Sequence, residues 1–286
     1  MQVISFMNMK GGVGKTTLAV NIAYGLAVLH RQKVIIIDAD PQFNASRYLL
    51  EDDVYLAHFG DDNKGSLLDI FKPRRPGPIR TTQGVARQVN RQKLALAQCS
   101  VNIFSNRYTG GRLDLIPASL NLIEMEMTAR GTERRLRAYL QEKADGYDYV
   151  LIDCPPTISI FTQAAILASS KYLVPIKPDP LSVVGLPLLE RWLEDFMHDA
   201  GITLTSVGLV FTMVRGPVPH RMNSIMSELR QTRGNEVFPD QLSVSTYVAE
   251  AVERHEPIFR YKKQSKPAKE IRRIIAEFNR RTSGVP

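Results

Sequence analysis

The densest chemistry in this 286-residue chain lies in Met9-Lys10-Gly11-Gly12-Val13-Gly14-Lys15-Thr16-Thr17. Its spacing is that of a phosphate-binding loop, G-x-x-x-x-G-K-[ST], with Met9 where the first glycine usually stands. Gly11, Gly12 and Gly14 let the backbone approach an anion closely and turn its amides toward phosphate oxygens. The N-terminus of a following helix adds partial positive charge there. Lys15 is spaced to reach terminal phosphates, and the Thr16 hydroxyl to complete a Mg²⁺ shell. A single lysine suffices for a triphosphate, so Lys10, the second cation, has either a task of its own or none.

Two further segments supply the carboxylates that magnesium and water require. In "KVIIIDADPQFNAS" a strand-like run ends with Asp38 and Asp40 two residues apart, on one face if the strand geometry persists. One of them can serve magnesium and the other the attacking water. In "YDYVLIDCPPT" a second apolar run ends in Asp153, which suits a carboxylate holding a metal-bound water beside phosphates.

These groups must be positioned by elements with the right geometry. The runs "VISFMN", "KVIIID", "LDLIP", "YDYVLID", "KYLVPIK" and "VGLVFTM" read as strands, each followed within a few residues by a helix-length amphipathic segment. Several are apolar almost throughout, as parallel strands covered on both faces are. The expected class is α/β: a doubly wound, mostly parallel sheet flanked by helices on both faces. The glycine-rich turn falls between "VISFMN" and the helical "TTLAVNIAYGLAVLH", the context a phosphate loop needs. The proline- and glycine-rich stretch from about Lys72 to Gly111 is the expected irregular segment, an insertion between core elements.

Composition sets limits on function. With 44% hydrophobic and 23% charged residues the chain has globular composition, and its longest apolar run, "LAVNIAYGLAVL", is too short to span a bilayer. No leader sequence is recognised, so the cytoplasm is the expected compartment. Cys99 and Cys154 lie far apart and form no metal knuckle. They read as small buried residues.

The net charge of +8 is unevenly spread. Lys72 to Arg112 carries nine basic residues and no acidic one, and Arg254 to Pro286 carries ten against three. Those segments hold +9 and +7, which leaves −8 for the remainder. Such asymmetry points to a polyanionic partner, nucleic acid or an acidic membrane surface.

The segments "KGGVGKTT", "DADPQFNAS", "YDYVLIDCPP" and the tail "VAEAVERHEPIFRYKKQSKPAKEIRRIIAEF" resemble the ParA/Soj branch of the ParA/MinD ATPases, whose phosphate loop is a deviant Walker A motif. The resemblance covers nearly the whole chain and is weakest in the basic insertion. It implies a single P-loop ATPase domain over 1–286, with an insertion at about 72–112 and a basic C-terminal helical segment at about 254–283. It also implies ATP and Mg²⁺ as cofactors, bound by Lys10 through Thr17, and a homodimer in the ATP state that sandwiches two nucleotides. In that picture Lys10 crosses to the phosphates held by the other subunit. Asp40 positions the attacking water, and Thr16, Asp38 and Asp153 lie in the magnesium shell. Turnover is expected to be slow until a partner stimulates it.

Three readings of the switch follow. The first is a partition or positioning ATPase, nucleoid-associated, that coats double-stranded DNA non-specifically and is released by a ParB-like activator. Lys262, Lys263, Lys266, Lys269, Arg272 and Arg273 are the first candidates for the DNA contacts, and the insertion arginines the second. No upstream helix-turn-helix is expected, hence no operator reading. The second is a membrane-cycling ATPase like MinD. It would need the stripe Ile271, Ile274, Ile275 and Phe278 to face lipid, whereas core packing is the expectation, so a membrane partner is not expected. The third is a small-molecule ligase on the same fold. One departure from the family pattern falls near the adenine region, where this chain reads "LSVS", Leu242 to Ser245.

Overall fold

A computed structural model describes residues 1–61, 63–72, 94–119, 121–123 and 131–283. The strands are β1 (Gln2–Phe6), β2 (Lys33–Asp38), β3 (Val101–Ser105), β4 (Arg112–Ile116), β5 (Tyr149–Asp153), β6 (Lys171–Ile176) and β7 (Thr205–Phe211). The helices are α1 (Lys15–Leu29), α2 (Asn44–Leu49), α3 (Asp52–Gly60), α4 (Leu67–Phe71), α5 (Leu96–Cys99), α6 (Arg135–Lys143), α7 (Ile160–Ala168) and α8 (Pro180–Ala200). They continue with α9 (His220–Arg233), α10 (Thr246–Glu253), α11 (Ile258–Tyr261) and α12 (Lys266–Thr282).

The strands form one sheet in the order β3-β4-β2-β5-β1-β6-β7. All neighbours pair in parallel except β3 with β4. The doubly wound sheet read from the sequence is therefore present. Its central strands are buried along their length because helices cover both faces: β5 is buried at every residue, and β2 at all but Lys33.

The expected irregular stretch up to Gly111 needs correction. Residues 101–105 add an antiparallel edge strand to the sheet, preceded by the short helix α5. The edge hid this strand, because Val101–Ser105 is only half-buried and carries no continuous apolar run. Residues 73–93 of the basic insertion lie outside the described residues.

One face of the sheet is closed by α1 and α12. Ile271, Ile274, Ile275 and Phe278 on α12 are all fully buried, which places the stripe in the core rather than on a lipid-facing surface. Each such side chain stabilises the fold by roughly 1.5–3 kcal/mol. The two helices approach closely at Gly25, where an added Cβ would meet Ile275 Cδ1 at 2.3 Å. Phe278 stacks on Phe6 at 6.2 Å between ring centres. The other face carries α6, α7 and α8 over Ile35, Ile37, Val150 and Ile152. Both cysteines are buried and unbridged. Among the described residues no helix is long and apolar enough to cross a membrane.

Candidate functional site

The adjacent strands β2, β5 and β1 end together, with Asp38 in register with Asp153 and Asp153 in register with Phe6. At this edge the chain leaves β1, turns through Gly11, Gly12 and Gly14, and enters α1. Gly12 and Gly14 have φ of 69° and 77°, a left-handed backbone that only glycine adopts without strain. A Cβ at Gly11 or Gly12 would meet nothing within 4 Å, so the loop borders open space. Gly14 is the N-cap of α1 and offers no side-chain acceptor, so the first amides of this 15-residue helix face the loop.

The carboxylates sit beside that loop. Thr16 Oγ1 donates to Asp153 Oδ2 at 2.6 Å, whereas the buried Asp153 Oδ1 has no partner. Asp38 Oδ2 accepts from the amide and the hydroxyl of Ser46, both at 2.7 Å, and Asp38 Oδ1 accepts from the Asp40 amide. Asp40 Oδ1 takes the Gln42 amide at 2.9 Å. Burial pushes the Asp38 carboxyl up to about 7 despite the Ser46 donors. It pushes Asp153 up to about 8, with the neighbouring Asp38 charge adding to the effect. Two buried acids in register, one with an orphaned oxygen, make a place short of positive charge.

The lysines take different partners. Lys15 is buried, and its ammonium donates to the Lys10 carbonyl at 3.2 Å. Burial draws its pKa below the usual lysine range, while Asp153 pulls it back upward. The Lys10 ammonium instead pairs with Asp179 Oδ2 at the start of α8.

These residues fit a magnesium-bound nucleoside phosphate. The open glycine turn and uncapped helix suit phosphate oxygens, and the orphaned Asp153 oxygen with the Thr16 hydroxyl suits a divalent cation. Among the described residues no three His, Cys, Asp or Glu side chains are arranged to hold a metal unaided.

A family model described as an AAA domain matches residues 1–205. A virulence plasmid ParA family protein of Chlamydia psittaci is 30% identical over 216 residues, spanning 74% of this chain and 69% of that protein. The chain belongs to the ParA/Soj family of P-loop ATPases. The chromosome partitioning protein ParA of Caulobacter vibrioides is 29% identical over 270 residues, 91% of this chain and 87% of its own length. An ATP complex of Cyanothece McdA superposes with a TM-score of 0.73 at 17% identity, covering 98% and 96% of the two chains. At that identity the likeness carries the fold alone.

The structure brings Lys10 to Thr17, Asp38, Asp40 and Asp153 of this ParA/Soj chain into one site. The six basic candidates lie elsewhere, around α11 and the first half of α12, and they are not equivalent. Lys262, Lys263, Lys266 and Lys269 are exposed, and of these Lys266 is paired with Glu270 at 3.7 Å. Arg273 is paired with Asp240 at 2.5 Å, and half-buried Arg272 lies over the Phe259 ring. Of the second-rank candidates, Arg112 is paired with Asp114, and those between 73 and 93 lie outside the described residues.

The sequence reading missed several groups at the site. Fully buried Thr212, just past β7, donates its hydroxyl to the Val13 carbonyl at 2.5 Å and packs under Gly14. Ser46 fixes Asp38. Asn8 accepts the Lys10 amide at 2.9 Å and donates to the Pro175 carbonyl at 2.8 Å. Leu242–Ser245, which the sequence singles out, runs along the end of β7, and the Ser243 amide and hydroxyl both donate to buried Glu270 of α12. Only Asp179 left a local signal, since an aspartate followed by proline reads as a helix start.

Proposed function

We propose that this ATPase is a nucleotide-gated dimeric switch that binds DNA non-specifically in its ATP state and positions or segregates DNA or another cargo with a ParB-like activating partner. The observation that carries the reading is the convergence of the glycine loop, Lys15, Thr16, Asp38, Asp40 and the orphaned Asp153 oxygen at the ends of three adjacent strands. Its setting would be the cytoplasm, on the nucleoid.

Bound magnesium-ATP supplies the phosphoryl bond to be broken and a divalent charge beside it. The loop amides from Gly11 to Thr17 and the α1 N-terminus hold the phosphates in place. Lys15 exchanges the Lys10 carbonyl for a terminal phosphate oxygen. The Thr16 hydroxyl and the Asp153 and Asp38 carboxylates are the groups that would hold the cation, directly or through water. Asp40, held through Oδ1 by the Gln42 amide, keeps Oδ2 without a hydrogen bond among the described residues. That oxygen orients the attacking water and accepts its proton. Lys10 completes the site held by a second copy of the chain, which makes association depend on the nucleotide. Hydrolysis is slow until an activator improves this alignment.

Dimerisation doubles every basic face. Lys262, Lys263, Lys266 and Lys269 are exposed lysines that phosphates could reach, and sequence-independent affinity rises steeply with the number of such contacts. The membrane-cycling alternative has no free amphipathic helix in α12, whose apolar stripe is buried.

The test is a gel-shift on random duplex DNA with ADP, ATP and a non-hydrolysable analogue in parallel. A shift confined to the triphosphates, fading with salt, is expected. Equal retention without nucleotide would overturn the switch.

A further inference from the structure

The Lys10–Asp179 ion pair has no role in the fold's core or in hydrolysis as described above. Asp179 is the N-cap of α8, and its Oδ1 accepts from the amide and the hydroxyl of Ser182, both at 3.1 Å. Its Oδ2 points to the Lys10 ammonium. The carboxylate is thus rigid, with one oxygen spent on the helix end and the other on the lysine. The Lys10 backbone is equally fixed, because Asn8 ties its amide to the Pro175 carbonyl at the end of β6. Only the side chain of Lys10 can swing.

Two further observations bear on what the pair does. Lys177 Nζ lies 3.8 Å from the same Asp179 oxygen, so a substitute cation waits beside the pair. The side chains are 29% and 20% exposed, which leaves both reachable from solvent. Leu181, Val184 and Leu188 then form an exposed apolar row on the helix that Asp179 begins. The pair therefore sits at the rim of a face that a second chain can cover. Burial alone would raise the Asp179 carboxyl, but the Lys10 ammonium and the Ser182 donors outweigh it and hold the group below its ordinary value. Asp179 stays a carboxylate and keeps its hold on the lysine.

We infer that Asp179 is a positioning residue for Lys10: it holds the ammonium in the lone chain and yields it to the triphosphate of a second chain when the two close. This rests on the cross-interface role proposed for Lys10. Lys177 takes over the vacated carboxylate oxygen, which keeps the exchange shallow. The carboxylate sets the threshold at which nucleotide drives association.

The test measures mass by light scattering across a series of Mg-ATP concentrations for the wild-type chain, Asp179→Asn and Asp179→Ser. Asparagine and serine both keep the helix cap while removing the charge. A partly exposed ion pair of this kind is worth up to a factor of about 5, and two are broken per dimer. Because each dimer also takes up two nucleotides, half-association is expected at a nucleotide concentration roughly 2- to 5-fold lower in both variants, with ADP still giving monomers. An unchanged or raised threshold in a variant whose far-UV circular dichroism is native would overturn the inference. Should the asparagine variant fail to fold, the serine variant carries the same test. Lys10→Ala separates the two layers. If it dimerises like wild type, the role of Lys10 itself fails; if it stays monomeric while Asp179→Asn keeps the wild-type threshold, only the role of Asp179 fails.

Discussion

Thr212→Val probes the support beneath the phosphate loop. The Thr212 hydroxyl donates to the Val13 carbonyl at 2.5 Å in a place where Thr212 is fully buried and Val13 is 1% exposed. Valine fills the same volume but leaves that carbonyl without its donor. An unmet buried acceptor costs about 1–3 kcal/mol. For a chain of this size each kcal/mol lowers Tm by about 2–4 °C, so a fall of roughly 2–12 °C in the nucleotide-free protein is expected by scanning calorimetry. The loop it supports carries Gly14, which lies over the Thr212 side chain, so affinity for a magnesium-bound ATP analogue should fall about 5- to 30-fold by titration calorimetry. Thr212→Ser restores the donor and should recover the affinity while losing only a methyl group's packing. A Tm within a degree of wild type, together with unchanged affinity, would refute the claim that this hydroxyl shapes the loop.

Gly25→Ala should destabilise the chain by about 1–3 kcal/mol through overpacking, because the new methyl would meet Ile275 Cδ1 at 2.3 Å; Ile275→Val in the same chain should recover part of the loss in urea unfolding. Asp40→Ala should lower ATP turnover by about 100-fold or more while leaving a long-lived nucleotide-bound dimer, checked by phosphate release and light scattering on one sample. Glu277 is held down to about 2 by Arg280, with Arg281 reinforcing it. Its folded value lies below the unfolded one, so its contribution is present above about pH 4.5 and fades as pH falls toward 2. Glu277→Gln should therefore cost about 1 kcal/mol at pH 7, after allowance for solvent screening of the outer pair, and almost nothing near pH 2 in chemical denaturation.

The glycine loop and the three carboxylates were legible in the sequence because each belongs to a short segment whose neighbours set its place. A strand ending in an acid, or a strand followed by glycines and a helix, carries its own geometry. Thr212 gave no such sign, since its partner lies 199 residues away and a threonine at a strand end is ordinary. The order of the strands brings them together. Asp179 could be read as a helix start, but not as the lysine's partner, because only the parallel placement of β1 beside β6 puts Lys10 next to α8. The strand β3 escaped notice for a different reason. At an edge, one half-buried face suffices, and the alternation of Val101, Ile103 and Phe104 is broken by a register shift between residues 102 and 104. The buried stripe of α12 was legible because its spacing matches a single helix face, and the close approach at Gly25 shows what that face meets. Charge was legible as a total for each segment, while its availability was not. Arg273 is occupied by Asp240, and Lys262 lies over the rings of Tyr247 and Tyr261.

Nucleotide-gated association through Lys10 is the centre of the account, and the mass of the protein in solution tests it most directly. Light scattering on the wild-type chain and on Lys10→Ala, each with magnesium and either ADP or a non-hydrolysable ATP analogue, compares four states in one experiment. A dimer is expected only for the wild-type chain with the triphosphate analogue, and analogue binding without dimer in the variant. A wild-type chain that stays monomeric when saturated with the analogue, or a Lys10→Ala chain that pairs as readily, would contradict it.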